Sequence, residues 1–180
     1  KESQNLIGLT KLIRRNLELT DCLAVSLADE LDFVDTYVKL ERQSLGSEFE
    51  YRLDLAEQLD LQEMKVPSML LQIPVENAIK HGLRLKEGKR LLLIQVHKLE
   101  NNQVEIVICD NGGGYRINSA NHGTGTGIKV ILQTIQLLNA NNKKHIDISI
   151  TNVQLEDGET GCEFAVFLPQ GYDYNLKKMV

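Results

Sequence analysis

The sequence predicts an α+β protein: a two-layer α/β sandwich with a mixed, mainly antiparallel sheet, helices on one face, and N-terminal helices leading in. Three observations carry this expectation. Apolar residues recur at helical spacing up to Gly46 and at strand spacing from Phe49, so the hydrophobic period changes at one point. Two pairs of strand-like runs are split by the turn signals Glu100-Asn101-Asn102 and Asp157-Gly158. Between those pairs a glycine-rich stretch leads into an amphipathic segment.

Each element has its own signal. Leu6, Leu9, Leu12, Ile13 and Leu17 share a helical face, with Lys11, Arg14 and Arg15 on the other. Ser26-Leu27-Ala28-Asp29 resembles a capping box and opens a second helix, striped by Leu27, Leu31, Val34 and Val38 and ending near Gly46. Such a stripe suits a core, and equally a partner helix. Phe49, Tyr51, Leu53 and Leu55 alternate with polar residues, as in a half-buried strand. Pro67 suits the first turn of the next helix, which runs to about Lys80 with Gly82 as its stop. Pro74 falls inside that helix, removes one backbone bond and predicts a kink or a tightened turn. Leu91–Leu99 and Val104–Cys109 form one hairpin; Ile146–Leu155 and Cys162–Leu168 form another. Between them a helix runs from about Gly127 to Asn139, with Val130, Ile131, Ile135 and Leu138 inward. Gly171–Val180 shows no period and is expected to be frayed or loosely docked. The chain thus divides into a helical segment 1–46, a compact unit 47–171 and a tail 172–180.

Composition narrows the function classes. With 180 residues, 42% hydrophobic and 25% charged, the chain is an ordinary globular sequence with room for one well-buried domain. A net charge of −5 argues against nucleic acid as a partner. Cys22, Cys109 and Cys162 lack metal-ligand spacing, so zinc is not expected; they read as buried thiols in a reducing compartment. No apolar run is long enough to cross a bilayer and no signal peptide is visible. A start at Lys1 without Met is expected of a piece of a longer protein.

Three motifs carry chemistry. Asn77 sits within one helical turn of Lys80 and His81, in Pro74-Val75-Glu76-Asn77-Ala78-Ile79-Lys80-His81-Gly82. An amide oxygen there can ligate Mg²⁺, and Lys80 can reach a phosphate; the plainer reading is a solvated helix face. Asp110 ends the apolar strand Val104–Cys109 and opens Asp110-Asn111-Gly112-Gly113-Gly114. Its carboxylate can accept from the exocyclic amine of adenine, while guanine would offer a repelled carbonyl. Gly112 and Gly114 have no Cβ, so backbone can approach a flat ring and adopt positive φ; the plainer reading is a turn. Gly123, Gly125 and Gly127 alternate just before a helix and can expose N–H groups to phosphate, or simply make a flexible loop. No Gly-Lys-Ser/Thr triplet closes the run, so it is not a P-loop. Tyr115–His122, between the two glycine runs, suits a small lid over a nucleotide.

Taken together, these motifs resemble the ATP-binding domain of the gyrase, Hsp90, histidine kinase and MutL (GHKL) superfamily, with the Bergerat sandwich fold. Asn77 matches its Mg²⁺ asparagine, Asp110-x-Gly112-x-Gly114 its adenine box, and Gly123-x-Gly125-x-Gly127 its phosphate box. Within that superfamily the chain is most similar to LytS/YehU-type sensor histidine kinases, through Glu76–Gly82 and through Tyr37-x-x-x-Glu41 on a long helix. The resemblance implies ATP and Mg²⁺ as cofactors, Lys80 and His81 at the nucleotide, and a response regulator as partner. It further implies a homodimer built by the N-terminal helices and a cytoplasmic position in an inner-membrane sensor. Glu76 is a candidate for orienting a Mg²⁺-bound water or the attacking imidazole, or else a helix-surface carboxylate. There are departures from the family pattern. Proline is shifted by one in Leu71-Gln72-Ile73-Pro74, and Lys129 stands where an asparagine is common. The catalytic glutamate of the gyrase and MutL branch falls at Ile73, which tells against an ATPase of that class. None of His81, His97, His122 and His145 has the sequence context of the family's phosphoacceptor, so residues 1–46 are expected to be a remnant of the dimerisation region. A non-catalytic nucleotide sensor is the remaining alternative.

Overall fold

The computed structural model describes residues 23–114, 124–155 and 158–175. The predicted first helix, with its Leu6–Leu17 stripe, and the Tyr115–His122 segment lie outside them.

The described chain opens with β1 (Ala24–Ser26) and α1 (Leu27–Leu45). Ser26 is extended and its Oγ accepts the Asp29 N–H at 3.1 Å, so the predicted cap forms. Leu27, Leu31, Val34 and Val38 are buried, which assigns the stripe to the core. The helix ends where Gly46 takes φ +85°.

Five strands make the main sheet: β2 (Phe49–Leu55), β4 (Arg90–Lys98), β5 (Val104–Asp110), β6 (Asp147–Gln154) and β7 (Thr160–Leu168), in the order β2-β4-β5-β7-β6. β2 and β4 are parallel and all other neighbours antiparallel, so the sheet is mixed as expected. Alternate residues Leu92, Ile94, Val96, Ile106, Ile108, Phe164 and Val166 are buried in the core that the helices share. On the opposite face Val107, Cys109 and Ala165 form only a small apolar cluster. Leu53 departs from its predicted pattern: on the edge strand β2 it stays 43% exposed.

Pro67 does not start a helix. It ends β3 (Lys65–Pro67), which pairs antiparallel with β1, and a proline at a strand end costs no interior ladder bond. The helix comes later, as α2 (Gln72–Asn77), followed by a π turn at Ala78–Gly82 and a 3₁₀ turn at Leu83–Leu85. Pro74 lies in the first turn of α2, where a missing N–H breaks nothing. The departure from α geometry is therefore a widening after Asn77, not a kink or tightening at the proline.

α3 (Thr124–Asn139) begins before Gly127, so Gly125 and Gly127 are helical rather than loop residues. The reason is visible at Gly127: a Cβ there would lie 2.9 Å from Ile73 Cγ2, so the glycine lets α3 pack closely on α2. The tail is also firmer than its sequence implies as far as residue 175. Tyr174 is 8% exposed and donates to Lys65 O at 3.0 Å, while Tyr172 donates to Asn139 Oδ1 at 2.7 Å.

Candidate functional site

A cavity of about 530 Å³ opens between the sheet, α3 and the unit formed by α2 and its two following turns. This size suits a cofactor-sized molecule. Ile108, Ile150 and Phe164 from the sheet and Ile128 from α3 make its apolar lining.

One wall comes from Asn77, Ala78, His81 and Gly82. Asn77 and His81 are four residues apart and share a face, and the wide π turn carries that face into the cavity. Glu76 and Lys80 flank this face and do not line the cavity. Both are half-buried. Gln72 donates to Glu76 at 3.5 Å; burial first, then the charges of Glu41 and Glu76, hold the Tyr37 hydroxyl of α1 above its ordinary range.

Asp110 lies at the head of the cavity, at the end of β5, opposite Leu92 of β4 and Cys162 of β7. It is 7% exposed; burial pushes its carboxyl up to about 6, with the Gly112 N–H pulling the other way. That N–H donates to Asp110 Oδ1 at 2.8 Å. The two glycines named for ring approach behave differently. Gly112 has no positive φ; a Cβ on it would sit 2.6 Å from the Gly82 backbone, so Gly112 and Gly82 let the helix end and the loop touch. Positive φ falls instead at Gly113 (+99°) and Gly114 (+89°). Gly123 lies outside the described residues, and Gly125 and Gly127 stand in the first turn of α3, where N–H groups lack helical partners.

Five contributors escaped the sequence reading. Asn111, 3% exposed, accepts the Leu91 N–H at 2.8 Å and donates to Lys89 O at 3.0 Å and Glu159 Oε2 at 3.3 Å, which ties the Asp110–Gly114 loop to two neighbours. Lys86 pairs with Glu159 at 2.6 Å, and both line the cavity. Cys162, beside Asp110, also lines it, and burial raises its thiol to about 12, so it stays protonated. Gly161 is the least replaceable: a Cβ there would fall 2.1 Å from Asp110 O. The Asp-Asn-Gly turn signal contained Asn111; nothing in the sequence marks the Lys86–Glu159 pair, 73 positions apart.

Comparison with known proteins fits this geometry. No family model matches the chain. The sensor protein LytS of Oceanobacillus iheyensis is 29% identical over 154 residues, which are 78% of this chain and 26% of that protein. The sensor histidine kinase YpdA of Escherichia coli is 32% identical over 111 residues, 62% of this chain and 19% of that protein. The chain therefore spans about a quarter or less of the length of these two curated relatives. Among solved structures, the mycobacterial sensor histidine kinase MprB superposes with a TM-score of 0.54 at 15% identity, covering 81% of this chain and 97% of that one. Full-length ShkA in complex with AMPPNP gives 0.52 at 14%, covering 76% and 29%. The chain is thus similar to LytS-type sensor histidine kinases, and its fold is that of solved histidine kinase catalytic domains.

Proposed function

We propose that this relative of the LytS-type sensor kinases binds Mg²⁺–ATP in the cavity and acts as the kinase core of a two-component sensor. In this reading it passes the γ-phosphoryl group to a histidine, and thence to a response-regulator aspartate. The observation that carries the reading is Asp110, a buried carboxylate at the head of a cavity whose other wall bears Asn77 and His81. A buried acceptor selects a partner that donates, and the exocyclic amine of adenine does so.

The donor set also fits magnesium. Among the described residues no group of three or more His, Cys, Asp or Glu is placed to cage a metal. Mg²⁺ needs no such cage: it keeps waters and phosphate oxygens and takes one or two protein ligands, here the Asn77 amide oxygen. When bound, the ion would neutralise charge on the transferred group. Lys80, at the edge of the same turn and outside the cavity lining, is the cation we assign to the phosphates, on a stem long and flexible enough to swing to them. Gly125 and Gly127, in the first turn of α3, offer the phosphates backbone N–H groups, and we assign Gly123, which lies outside the described residues, to the same phosphate run from its sequence alone. Glu76 is not among the residues that line the cavity, so we give it no part in proton transfer.

An ATPase of the gyrase and MutL class finds no support here. The position of its glutamate is Ile73, an alkyl side chain 1% exposed, which cannot activate water. In the whole sensor we place this unit in the cytoplasm, with a homodimer built through the N-terminal helices of the full-length protein. Among the described residues no helix is long and apolar enough to cross a membrane.

Calorimetry with an ATP analogue, with and without Mg²⁺, tests binding; labelling of a separately made acceptor domain tests transfer. Asn77→Ala should lower transfer about tenfold or more while Mg²⁺-free ADP affinity changes little. Parallel losses would make Asn77 a structural residue. Tight binding with no labelling of the acceptor would make this a nucleotide sensor and not a kinase.

A further inference from the structure

We propose that Lys86 is a second base-reading residue: Glu159 holds its ammonium at the Asp110 end of the cavity, where it donates to a ring nitrogen beside the amine that Asp110 accepts. The inference rests on the reading of this cavity as an adenine-nucleotide site.

Leu85 and Lys86 leave the last turn of the helical unit with their usual preferences exchanged. Leu85 is 74% exposed, while the Lys86 side chain is only 16% exposed. A lysine ordinarily keeps its ammonium in water, so an inward one needs a partner. That partner is Glu159, at 2.6 Å, and both residues line the cavity. The backbone is pinned as well: the Lys86 N–H bonds back to Leu83 O at 3.2 Å and closes the 3₁₀ turn.

What else Glu159 holds sets the place of the ammonium. Its Oε2 receives both the Lys86 ammonium and the Asn111 side-chain amide, the latter at 3.3 Å. Asn111 directly follows Asp110 and is itself fixed by the Leu91 N–H and Lys89 O. Glu159 stands three positions before Cys162, the β7 residue opposite Asp110, and the Gly113 N–H goes to Thr160 O at 3.1 Å. One carboxylate oxygen therefore joins the exit of the helical unit, the Asp110–Gly114 loop and the start of β7. It puts a cation beside the residue that receives the amine.

Chemistry then names the contact. An ammonium carries three N–H groups and no acceptor, so the bond to Glu159 does not exhaust its donors. The amine of adenine is flanked by two ring acceptors, N1 on one side and N7 on the other. A carboxylate on the amine and an ammonium on a flanking nitrogen match that edge, donor to acceptor and acceptor to donor. The ion pair also orders the lysine before a ligand arrives, which leaves less rotamer freedom to lose on binding.

The experiment is calorimetry of wild type and Lys86→Met with ADP, 7-deaza-ADP and 1-deaza-ADP, all without Mg²⁺ so that the metal does not enter. Each deaza analogue replaces one ring nitrogen with C–H and keeps the amine. Thermal melting of each variant identifies those that fold. Wild type should bind one analogue about tenfold more weakly than ADP, and which one it is identifies the nitrogen. Lys86→Met should lose about that factor with ADP and bind ADP and the same analogue within about twofold of each other. Lys86→Gln keeps a donor on a shorter stem and should fall between, which preserves the test if Lys86→Met does not fold. An equal loss with all three ligands would overturn the inference and leave Lys86 a structural partner of Glu159. So would a wild type that binds both analogues as tightly as ADP, or a folded Lys86→Met with unchanged ADP affinity. Asp110→Asn tells the two readings apart. If it binds ADP as wild type does, the adenine reading falls and takes the inference with it; if it weakens ADP while both analogues match ADP in wild type, the inference falls alone.

Discussion

Around Asp110, three glycines bring backbone into contact with one residue. Positions 82 and 112 would place a Cβ 3.3 and 3.0 Å from its carboxylate oxygen, and position 161 a Cβ 2.1 Å from its carbonyl oxygen. The carboxylate can therefore be buried without a side chain crowding it. Asp110→Asn replaces an acceptor oxygen with a donor facing the adenine amine, and should cost about 1–3 kcal/mol of ATP affinity by calorimetry. Equal affinities would take Asp110 out of the site. Its pKa of about 6 adds a pH dependence of fixed sign. Below that value the free protein carries a proton that must leave before the amine can be accepted, so affinity falls as pH falls, roughly tenfold per unit. Asp110→Asn has no such group, and the difference between the two profiles removes the nucleotide's own titration. Gly161→Ala should destabilise by about 3 kcal/mol or more in urea unfolding, since the clash is with the backbone of the adjoining strand and no rotamer relieves it. At this scale the sequence exposed Asp110 and Asn77 because polar residues stood where apolar or helix-favouring ones were due. It could not expose Gly161, because in one dimension a glycine at a strand start looks like any turn residue.

Among the elements, those with a local signal were legible. The Ser26 cap, the α1 stripe and the two hairpins follow from contacts within a few residues, or from alternation that the pleat enforces. What was misread depends on distant partners. Pro67 becomes a strand end because β1 lies beside it, and α3 starts early because α2 presses on Gly127. The π turn after Asn77 has no sequence signature and is fixed by packing. α1 belongs to the same argument, since Glu30 in its first turn is buried. Burial raises that carboxyl to about 7 from an ordinary 4.5, with the backbone N–H groups of Met69, Gln72 and Leu70 opposing and Asp29 adding to the rise. A folded-state pKa above the unfolded one makes the native state bind the extra proton. Stability from this group is therefore full below about pH 4.5 and is lost as pH rises through about 7. Wild type should lose up to about 3 kcal/mol relative to Glu30→Gln between pH 4.5 and 8, measured as the difference of their urea midpoints at each pH. A constant difference across that range would mean that Glu30 does not titrate there.

Among the described residues one core joins α1, α2, α3 and a single face of the sheet, and the cavity opens between that face and the helices. The layering decides which histidines could meet a nucleotide's γ-phosphoryl group. His97 alternates with the buried Val96 on β4, so it projects from the face opposite the helices. His145 precedes β6 and lines a separate groove with Leu132 and Asn139. Of the histidines among the described residues, His81 alone lines the cavity; His122 lies outside them. Phosphoryl transfer needs the attacking nitrogen within about 3–3.5 Å and in line with the leaving oxygen. His97 and His145 cannot reach that position from where they stand, and His81 shares its turn with the residues we assign to the metal and phosphates. We therefore expect this chain to bind Mg²⁺–ATP and not to label itself, with the acceptor imidazole arriving from another surface. Incubation with γ-labelled ATP should leave it unlabelled, while an acceptor-helix domain made separately becomes labelled in trans. Saturating Mg²⁺–ATP in the same tube, at about 100 times the dissociation constant, should add about 2.7 kcal/mol of stability, which separates silence through lack of an acceptor from silence through lack of binding. Acid-labile, base-stable phosphate on the chain itself would overturn this account, and His81→Ala would then be the first variant to abolish it.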